Sequence, residues 1–218
     1  AEYGLSIDTE TEELIKASCL LISQVAGERV RDELIQLLAL PRTSEQLAYL
    51  DRLGLLPLLV GEMAATKGAI QPPEHFWHVF EHSLNTVEAI EYIVGDKRDM
   101  GGGMKCPTFH LPQLTSQDVL SEVPWSEMLA QHFNQTVGTT PRRALLKLAS
   151  LLHDIAKPQT RSVELTGRIR FLGHAQEGAK IVVKILERWR FSNREIKLVE
   201  AMVLHHLRPA QMSQGTEM

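Results

Sequence analysis

The sequence predicts an all-α fold, in which a helical bundle follows a small helical subdomain. Leu, Ala and Glu recur along the 218 residues, aromatic residues make up only 6%, and few segments are rich in Val, Ile and Thr. Apolar residues repeat at spacings of three and four through most of the chain, which is typical of amphipathic helices. One stretch alternates instead, between residues 161 and 171, so we expect at most one short β-hairpin.

Residues 1–65 are predicted to form the small helical subdomain. Thr9 and Glu12 have the spacing of a capping box, which marks the start of its first helix. Thr43 or Ser44 is expected to cap its third helix. Three apolar stripes have helical spacing, and each is followed by a residue that ends helices: Leu14 to Val25 before Gly27, Val30 to Leu38 before Pro41, and Leu47 to Leu53 before Gly54.

Residues 74–210 are predicted to form a second domain after a linker at 66–73. Its longest irregular stretch, 95–123, contains three consecutive glycines and little periodicity, which is typical of a mobile lid or a disordered insertion. Pro141 is expected as a first helical residue. The predicted helices cover 74–94, 125–133, 142–156, 174–189 and 192–207, and the polar tail 208–218 is expected to be frayed.

Charge and cysteine content limit the classes of function. The formal net charge is -4, so contact with nucleic acid would have to use a local basic patch. The two cysteines, Cys19 and Cys106, lie in unrelated contexts and predict no disulfide framework, which favours a reduced, cytoplasmic setting. We expect no membrane association, because the sequence has no apolar run of eighteen residues.

The histidines are the informative feature of the second domain. His82 lies on the long predicted helix, the pair His153-Asp154 ends another helix, His174 opens the next one, and His205-His206 lies late in the last. Imidazole and carboxylate groups bind zinc, manganese, iron, cobalt or nickel. A mixed His/Asp set without cysteine favours an open catalytic site, where a metal polarises a phosphoryl oxygen and generates hydroxide.

The segment Leu151-Leu152-His153-Asp154-Ile155-Ala156-Lys157-Pro158 is the most specific local signal. Its polar pair ends a nearly continuous apolar helix, where unpaired polar groups are costly unless something binds them. Lys157 lies three residues after Asp154, on the same helix face, within reach of a phosphate on the metal. A helix C-terminal cation would explain Lys157 alone, but it would leave His153 and Asp154 unexplained.

Several segments together resemble a known family. In order, these are Phe80-Glu81-His82-Ser83-Leu84, the segment around His153-Asp154, Phe171-Leu172-Gly173-His174 and Leu204-His205-His206. They resemble the motifs of the HD superfamily of metal-dependent phosphohydrolases. Thr160-Arg161, Gly167-Arg168-Ile169 and the segment from Gly173 to Ala179, with Glu28 to Leu34 and Leu50 to Leu56 upstream, resemble the RNA-binding linker and HD part of bacterial tRNA nucleotidyltransferase/poly(A) polymerase proteins.

The resemblance implies a site, a cofactor and a substrate. It implies one or two divalent ions (Mn, Ni, Co, Fe, Zn or Mg) and hydrolysis of a phosphoester in a nucleotide or at an RNA 3′ end, tRNA included. Asp154 and Lys157 would be catalytic. The implied metal ligands are His82, His153, Asp154, His174, His205 and His206, and the implied phosphate contacts are Lys157, Arg161 and Arg208.

Two departures from the family pattern keep alternatives open. No Gly-rich turn with an Asp-x-Asp pair opens the chain, which begins about where a nucleotidyltransferase head would end, so the chain as given is not expected to add nucleotides. No aspartate follows Asp154, so a late carboxylate ligand is missing or is replaced by His205 and His206.

The alternatives are non-catalytic. The helices could be the RNA-binding body of a tRNA nucleotidyltransferase with a vestigial or structural HD site, or the protein could sense a nucleotide without hydrolysing it. In the RNA-binding alternative, phosphate contacts would come from two basic groups, namely Arg29, Arg31, Arg42 and Arg52, and Arg188, Arg190, Arg194 and Lys197.

Overall fold

The computed structural model describes residues 5–71, 77–94 and 126–214, which are mostly helical. The α-helices of this part are α1 (Thr9–Ser18), α2 (Gly27–Ala39), α3 (Thr43–Arg52), α4 (Leu56–Leu59), α5 (Val79–Val94), α6 (Glu127–Asn134), α7 (Arg142–Leu152), α8 (His174–Arg188), α9 (Asn193–His205) and α10 (Arg208–Gln214). Two 3₁₀ helices, Cys19–Gln24 and Gly61–Thr66, follow α1 and α4. The predicted all-α class is confirmed.

Two antiparallel hairpins complete the described part. The pair β3 (Arg161–Val163) and β4 (Ile169–Phe171) is the hairpin that the alternating pattern predicts, with Ser162 opposite Arg170. The pair β1 (Thr136–Val137) and β2 (Thr140–Pro141) is an addition to the single hairpin that we expected. Two residues per strand are too few for the period-two pattern that identifies a strand in a sequence.

The core runs without interruption from the N-terminal helices into the C-terminal bundle. Leu34 and Leu38 of α2 belong to the same buried cluster as Leu145, Leu148 and the C-terminal helices. Helix α7 contacts α2, α5 and α9, so it occupies the centre of the molecule. The division into domains 1–65 and 74–210 therefore stays a prediction. One buried core contains residues of both ranges.

The start of α3 is stabilised differently from the prediction. We expected the side chain of Thr43 or Ser44 to cap it, but Arg42 occupies the cap position and makes no side-chain cap hydrogen bond. Instead, the backbone N–H groups of Thr43 and Ser44 donate to the carboxylate of Glu91 on α5, at 2.9 and 3.3 Å. A carboxylate from a distant helix thus satisfies these two donors.

The first helix also departs from the expectation. Asp8, rather than Thr9, caps α1, by accepting a hydrogen bond from the Thr11 N–H at 2.9 Å. No residue of α1 is buried, and Leu14, in the first apolar stripe, is exposed. Helix α1 ends at Ser18, and a 3₁₀ helix follows it. Gly27, which was expected to end the first helix, is the first residue of α2.

Three further elements differ near the C-terminus. Helix α7 ends at Leu152 instead of residue 156, and turns cover 153–160. Pro141 precedes α7 as its cap residue and pairs in β2. The tail that was expected to fray forms α10 as far as Gln214.

Some predictions lie outside the described residues: the loop 95–123, the start of the helix at 74, Trp125, Cys106 and residues 215–218. Within the described ranges, no helix has both the length and the apolar character needed to cross a membrane.

Candidate metal centre

A buried carboxylate, Asp154, lies at the centre of four imidazole rings. The residue is 2% exposed and belongs to the turn that follows α7. Its Oδ2 atom lies 3.0 Å from Nε2 of His153 and 3.4 Å from Nε2 of His82. Its Oδ1 atom lies 3.3 Å from Nε2 of His174 and 3.6 Å from Nε2 of His206. Each carboxylate oxygen therefore faces its own pair of imidazoles.

Four separate elements bring these side chains together. His82 lies on α5, next to the buried residue Ser83, and His153 directly follows the last residue of α7. His174 is the first residue of α8, and Gly173 before it has φ of 79°, a left-handed conformation that glycine adopts without strain. His206 directly follows α9.

Three of the rings are oriented by the same hydrogen bond. Nδ1 of His153, His174 and His206 lies 2.8, 2.6 and 2.7 Å from the carbonyl oxygen three residues upstream. A carbonyl oxygen only accepts, so Nδ1 carries the hydrogen in each ring. When these imidazoles are neutral, each therefore has a lone pair on Nε2, the atom that faces Asp154.

The arrangement forms two groups that fit a metal ion. The first contains His82, His153 and Asp154, the second Asp154, His174 and His206, and within each group the ligand atoms lie within 4.8 Å of one another. The two Nε2 atoms of each group are 3.2 Å apart. Two nitrogens bound to one tetrahedral zinc ion at about 2.0–2.1 Å would lie about 3.3 Å apart.

Two unfavourable features of the protein alone also point to a cation. When both rings are neutral, the lone pairs on Nε2 of His174 and His206 face each other across 3.2 Å. Oδ1 of Asp154 is a buried oxygen that accepts no hydrogen bond from the described residues. A buried acceptor without a donor is costly, and a positive ion between these atoms would remove both costs. The residues present therefore fit a divalent metal ion.

The ionisation of the site suits metal binding. Burial alone would raise the pKa of Asp154, but contacts with His153 and His174 and the charge of Lys157 outweigh it and hold this pKa well below its usual range. Burial lowers the pKa of His206 from its ordinary value. The carboxylate is thus charged and His206 is neutral near pH 7, the states in which both bind metals.

Lys157 is part of the same buried network. Its Nζ atom lies 2.8 Å from Oδ2 of Asp154 and donates to Oε1 of Gln71 at 2.6 Å. Gln71 in turn donates to the carbonyl oxygen of Trp77 at 2.9 Å. The ammonium group also lies 5.5 Å from the centre of the Phe171 ring. Lys157 is therefore fixed beside the carboxylate.

The cluster opens into a cavity of about 900 Å³ with basic walls. Arg168 and Arg170 of the β3–β4 hairpin line it together with Arg208 at the start of α10. Arg170 is bound to Glu164 at 3.0 Å. Arg161 is exposed on the same hairpin but is not among the described residues that line the cavity. Of the two predicted arginine contacts, the structure places Arg208 at the cavity and Arg161 away from it.

His205 is the one predicted ligand outside both groups. It is exposed at the rim of the cavity, whereas its neighbour His206 faces Asp154. His78, four residues before His82, is also exposed and belongs to neither group among the described residues. Helix geometry explains His205, since adjacent residues diverge by about 100° around a helix, whereas His78 lies one residue before α5 begins.

Sequence reasoning did not identify Gln71 or Arg168 as part of the site. Gln71 contacts Lys157 across 86 positions of the chain, and nothing in the sequence near either residue indicates that contact. Arg168 did have a signal, because it follows Gly167 at the predicted hairpin turn directly before the segment that contains His174.

Comparison with known proteins gives two matched regions. Residues 4–66 match the family described as "Probable RNA and SrmB- binding site of polymerase A", and residues 125–217 match the HD domain family. The second range contains every residue of the metal groups except His82, which α5 supplies.

Two curated proteins are similar to most of the chain. One is a CC-adding tRNA nucleotidyltransferase from Thermus thermophilus, 32% identical over 183 residues, and the other is an A-adding tRNA nucleotidyltransferase from Deinococcus radiodurans, 30% identical over 183 residues. In both cases the match covers 84% of this chain and 32% of the relative, so the chain spans about a third of the length of these relatives.

The fold, the clustered histidines and the two matched regions agree with one another. The chain therefore carries a polymerase A RNA-binding region followed by an HD domain, and over 183 residues it is similar to tRNA nucleotidyltransferases.

Proposed function

We propose that this protein is a metal-dependent phosphohydrolase that acts on a phosphoester of a nucleotide or of an RNA 3′ end. The observation that carries the proposal is the buried carboxylate of Asp154, whose two oxygens face two pairs of Nε2 atoms at the base of a basic cavity. A divalent ion bound there would supply polarisation of a phosphoryl oxygen and a hydroxide near neutral pH.

The protein's own groups would orient and bind the phosphate. Asp154 stays ionised and holds its position through Lys157, whose ammonium group has three donors. Two of these donors face Asp154 and Gln71 among the described residues, which leaves one for a phosphate oxygen in the cavity. Arg168 and Arg208 would bind the more distant oxygens, because guanidinium groups match phosphate geometry.

The experiment combines metal analysis with an assay of hydrolysis. The purified chain would be analysed for bound metal and then assayed with nucleotides, cyclic phosphates and short RNAs in Mn²⁺, Ni²⁺, Co²⁺ or Mg²⁺. Asp154→Ala should abolish both metal binding and metal-dependent hydrolysis, while Lys180→Met on the exposed face of α8 should change neither. Absence of bound metal together with absence of turnover in all four ions would refute the proposal.

An RNA-binding role without hydrolysis is the second candidate, and the match of residues 4–66 to an RNA-binding region favours it. The two basic groups considered for this role lie next to each other. Arg31 of the first group donates to the carbonyl oxygen of Arg190 in the second at 2.6 Å. However, Arg31 also contacts Asp32, and Arg188 contacts Glu62, so part of this charge is already neutralised.

RNA binding is testable separately from hydrolysis. Affinity for tRNA should fall steeply with salt concentration if phosphates are contacted. Arg194→Ala should weaken binding at low salt, with Lys180→Met, an exposed cation outside both basic groups, as the control. Salt-independent or absent binding would count against this role and would leave the hydrolase proposal standing.

A further inference from the structure

The two metal groups around Asp154 differ in how well each is prepared for a cation. They share the carboxylate and have similar Nε2 separations, but their environments are unequal. Two differences, in the carboxylate oxygen and in the burial of the rings, favour the group that contains His174 and His206.

The first difference lies in the two oxygens of Asp154. Oδ1, which faces His174 and His206, accepts no hydrogen bond from the described residues. Oδ2, which faces His82 and His153, lies 2.8 Å from the ammonium group of Lys157. A cation bound at Oδ2 would therefore be repelled by a positive charge beside the same atom, whereas Oδ1 is free of such a neighbour.

The second difference lies in the histidines. In the group at Oδ1, both rings donate from Nδ1 to backbone carbonyls, of Phe171 and Val203, and their side chains are 10% and 15% exposed. In the other group, the side chain of His82 is 27% exposed. His153 of that group is 11% exposed and also donates from Nδ1, to Ser150, so the difference lies in the greater exposure of His82. A more exposed ring loses more freedom when it binds a metal.

We propose that the site binds two ions in a fixed order, the first at Asp154, His174 and His206 and the second, more weakly, at His82 and His153. This inference rests on the proposed metal-dependent function and adds a form of regulation to it. A cation at the second position would weaken the Lys157–Asp154 contact, so the availability of divalent metal would set the strength of that contact.

The test is a metal titration that does not depend on activity. Chelator-treated protein would be titrated with Co²⁺ by calorimetry, with elemental analysis of the dialysed samples. Wild-type protein should show one tight and one weaker ion. His206→Ala should weaken the tight ion by a factor of about 100 or more, whereas His82→Ala should remove the weaker ion and leave the tight one nearly unchanged. His205→Ala, outside both groups, is the matched control.

A second variant tests the role of the charge. Lys157→Met should tighten the weaker ion by about tenfold and leave the tight one unchanged, because it removes the ammonium group beside Oδ2. Lys180→Met on the surface of α8 is its control. An unchanged weaker site in Lys157→Met would overturn the charge argument.

The remaining outcomes separate this inference from the proposed function. Loss of the tight ion in His82→Ala but not in His206→Ala, or equal loss in both, would overturn the order of binding and leave a metal site in place. Absence of any Co²⁺ binding to the wild type would overturn both proposals. His174→Gln carries the same expectation as His206→Ala, so the test survives if one variant fails to fold.

Discussion

Lys147 of α7 and Glu91 of α5 form a buried ion pair, with Nζ and Oε1 separated by 2.8 Å and both side chains less than 5% exposed. The same ammonium group donates to the carbonyl oxygen of Leu40 and to Oγ1 of Thr43. Burial lowers the pKa of Lys147, and the charge of Glu91 only partly offsets this effect. The pair therefore connects the N-terminal helices to the bundle that carries the metal site.

Replacement of one partner should destabilise the whole molecule. In Glu91→Gln, Lys147 would keep a buried charge without its counterion, and two backbone donors of α3 would lose a carboxylate acceptor. We expect a loss of about 3–5 kcal/mol in the free energy of unfolding, measured by urea denaturation. Glu177→Gln in the exposed pair with Lys180 is the control, and an equal effect in both variants would contradict the role of burial.

Close packing at the start of α2 gives a second prediction. A Cβ atom on Gly27 would lie 2.1 Å from the carbonyl oxygen of Arg188, so the end of α8 would have to shift. Gly27→Ala should therefore lower stability by about 1–3 kcal/mol, measured as a lower melting temperature. Gly61→Ala, which meets no atom within 4 Å, is the matched control, and similar melting of both variants would rule out this contact as the cause.

Arg168 and Arg161 lie on one hairpin and differ in their relation to the cavity. Arg168→Ala should raise KM for the best nucleotide substrate about tenfold, because a charged hydrogen bond to phosphate is lost. Arg161→Ala should leave KM unchanged, although the resemblance to relatives implied a phosphate contact there. A raised KM in Arg161→Ala with an unchanged KM in Arg168→Ala, measured by steady-state assays, would contradict phosphate binding in the cavity.

The pH dependence of the metal-free protein follows from His206. Burial lowers its pKa below 6.5, so the unfolded chain takes up the proton first as the pH falls. The free energy of unfolding should therefore decrease from pH 6.5 downwards and level off below the pKa of the folded state. Titration by NMR of imidazole nitrogens checks this directly, and a pKa of His206 at or above 6.5 would contradict it.

The helical class and most of the clustered histidines could be predicted, because both depend on local spacing. The apolar stripe of α7 places Leu145, Leu148 and Leu152 in the core, as the helical period requires. Leu14 also has helical spacing and lies on a helix, but it is exposed on α1. Spacing identifies a helix face, but it does not identify what that face contacts.

The sequence alone does not distinguish the roles of two adjacent histidines. His205 and His206 are equivalent in sequence, and only the position where α9 ends directs His206 toward Asp154. The contact of Gln71 with Lys157 was likewise beyond prediction, because partners far apart in the chain leave no local pattern.

The continuous core has a consequence for how the chain can be divided. Leu34 and Leu38 of the RNA-binding match are buried in one cluster with Leu145 and Leu148 of the HD match. A cut in the connecting stretch would leave a leucine surface exposed to water on each fragment. We therefore expect that neither fragment folds as a soluble unit. An RNA contact on the first region would be linked to the histidine cluster of the second through this shared core.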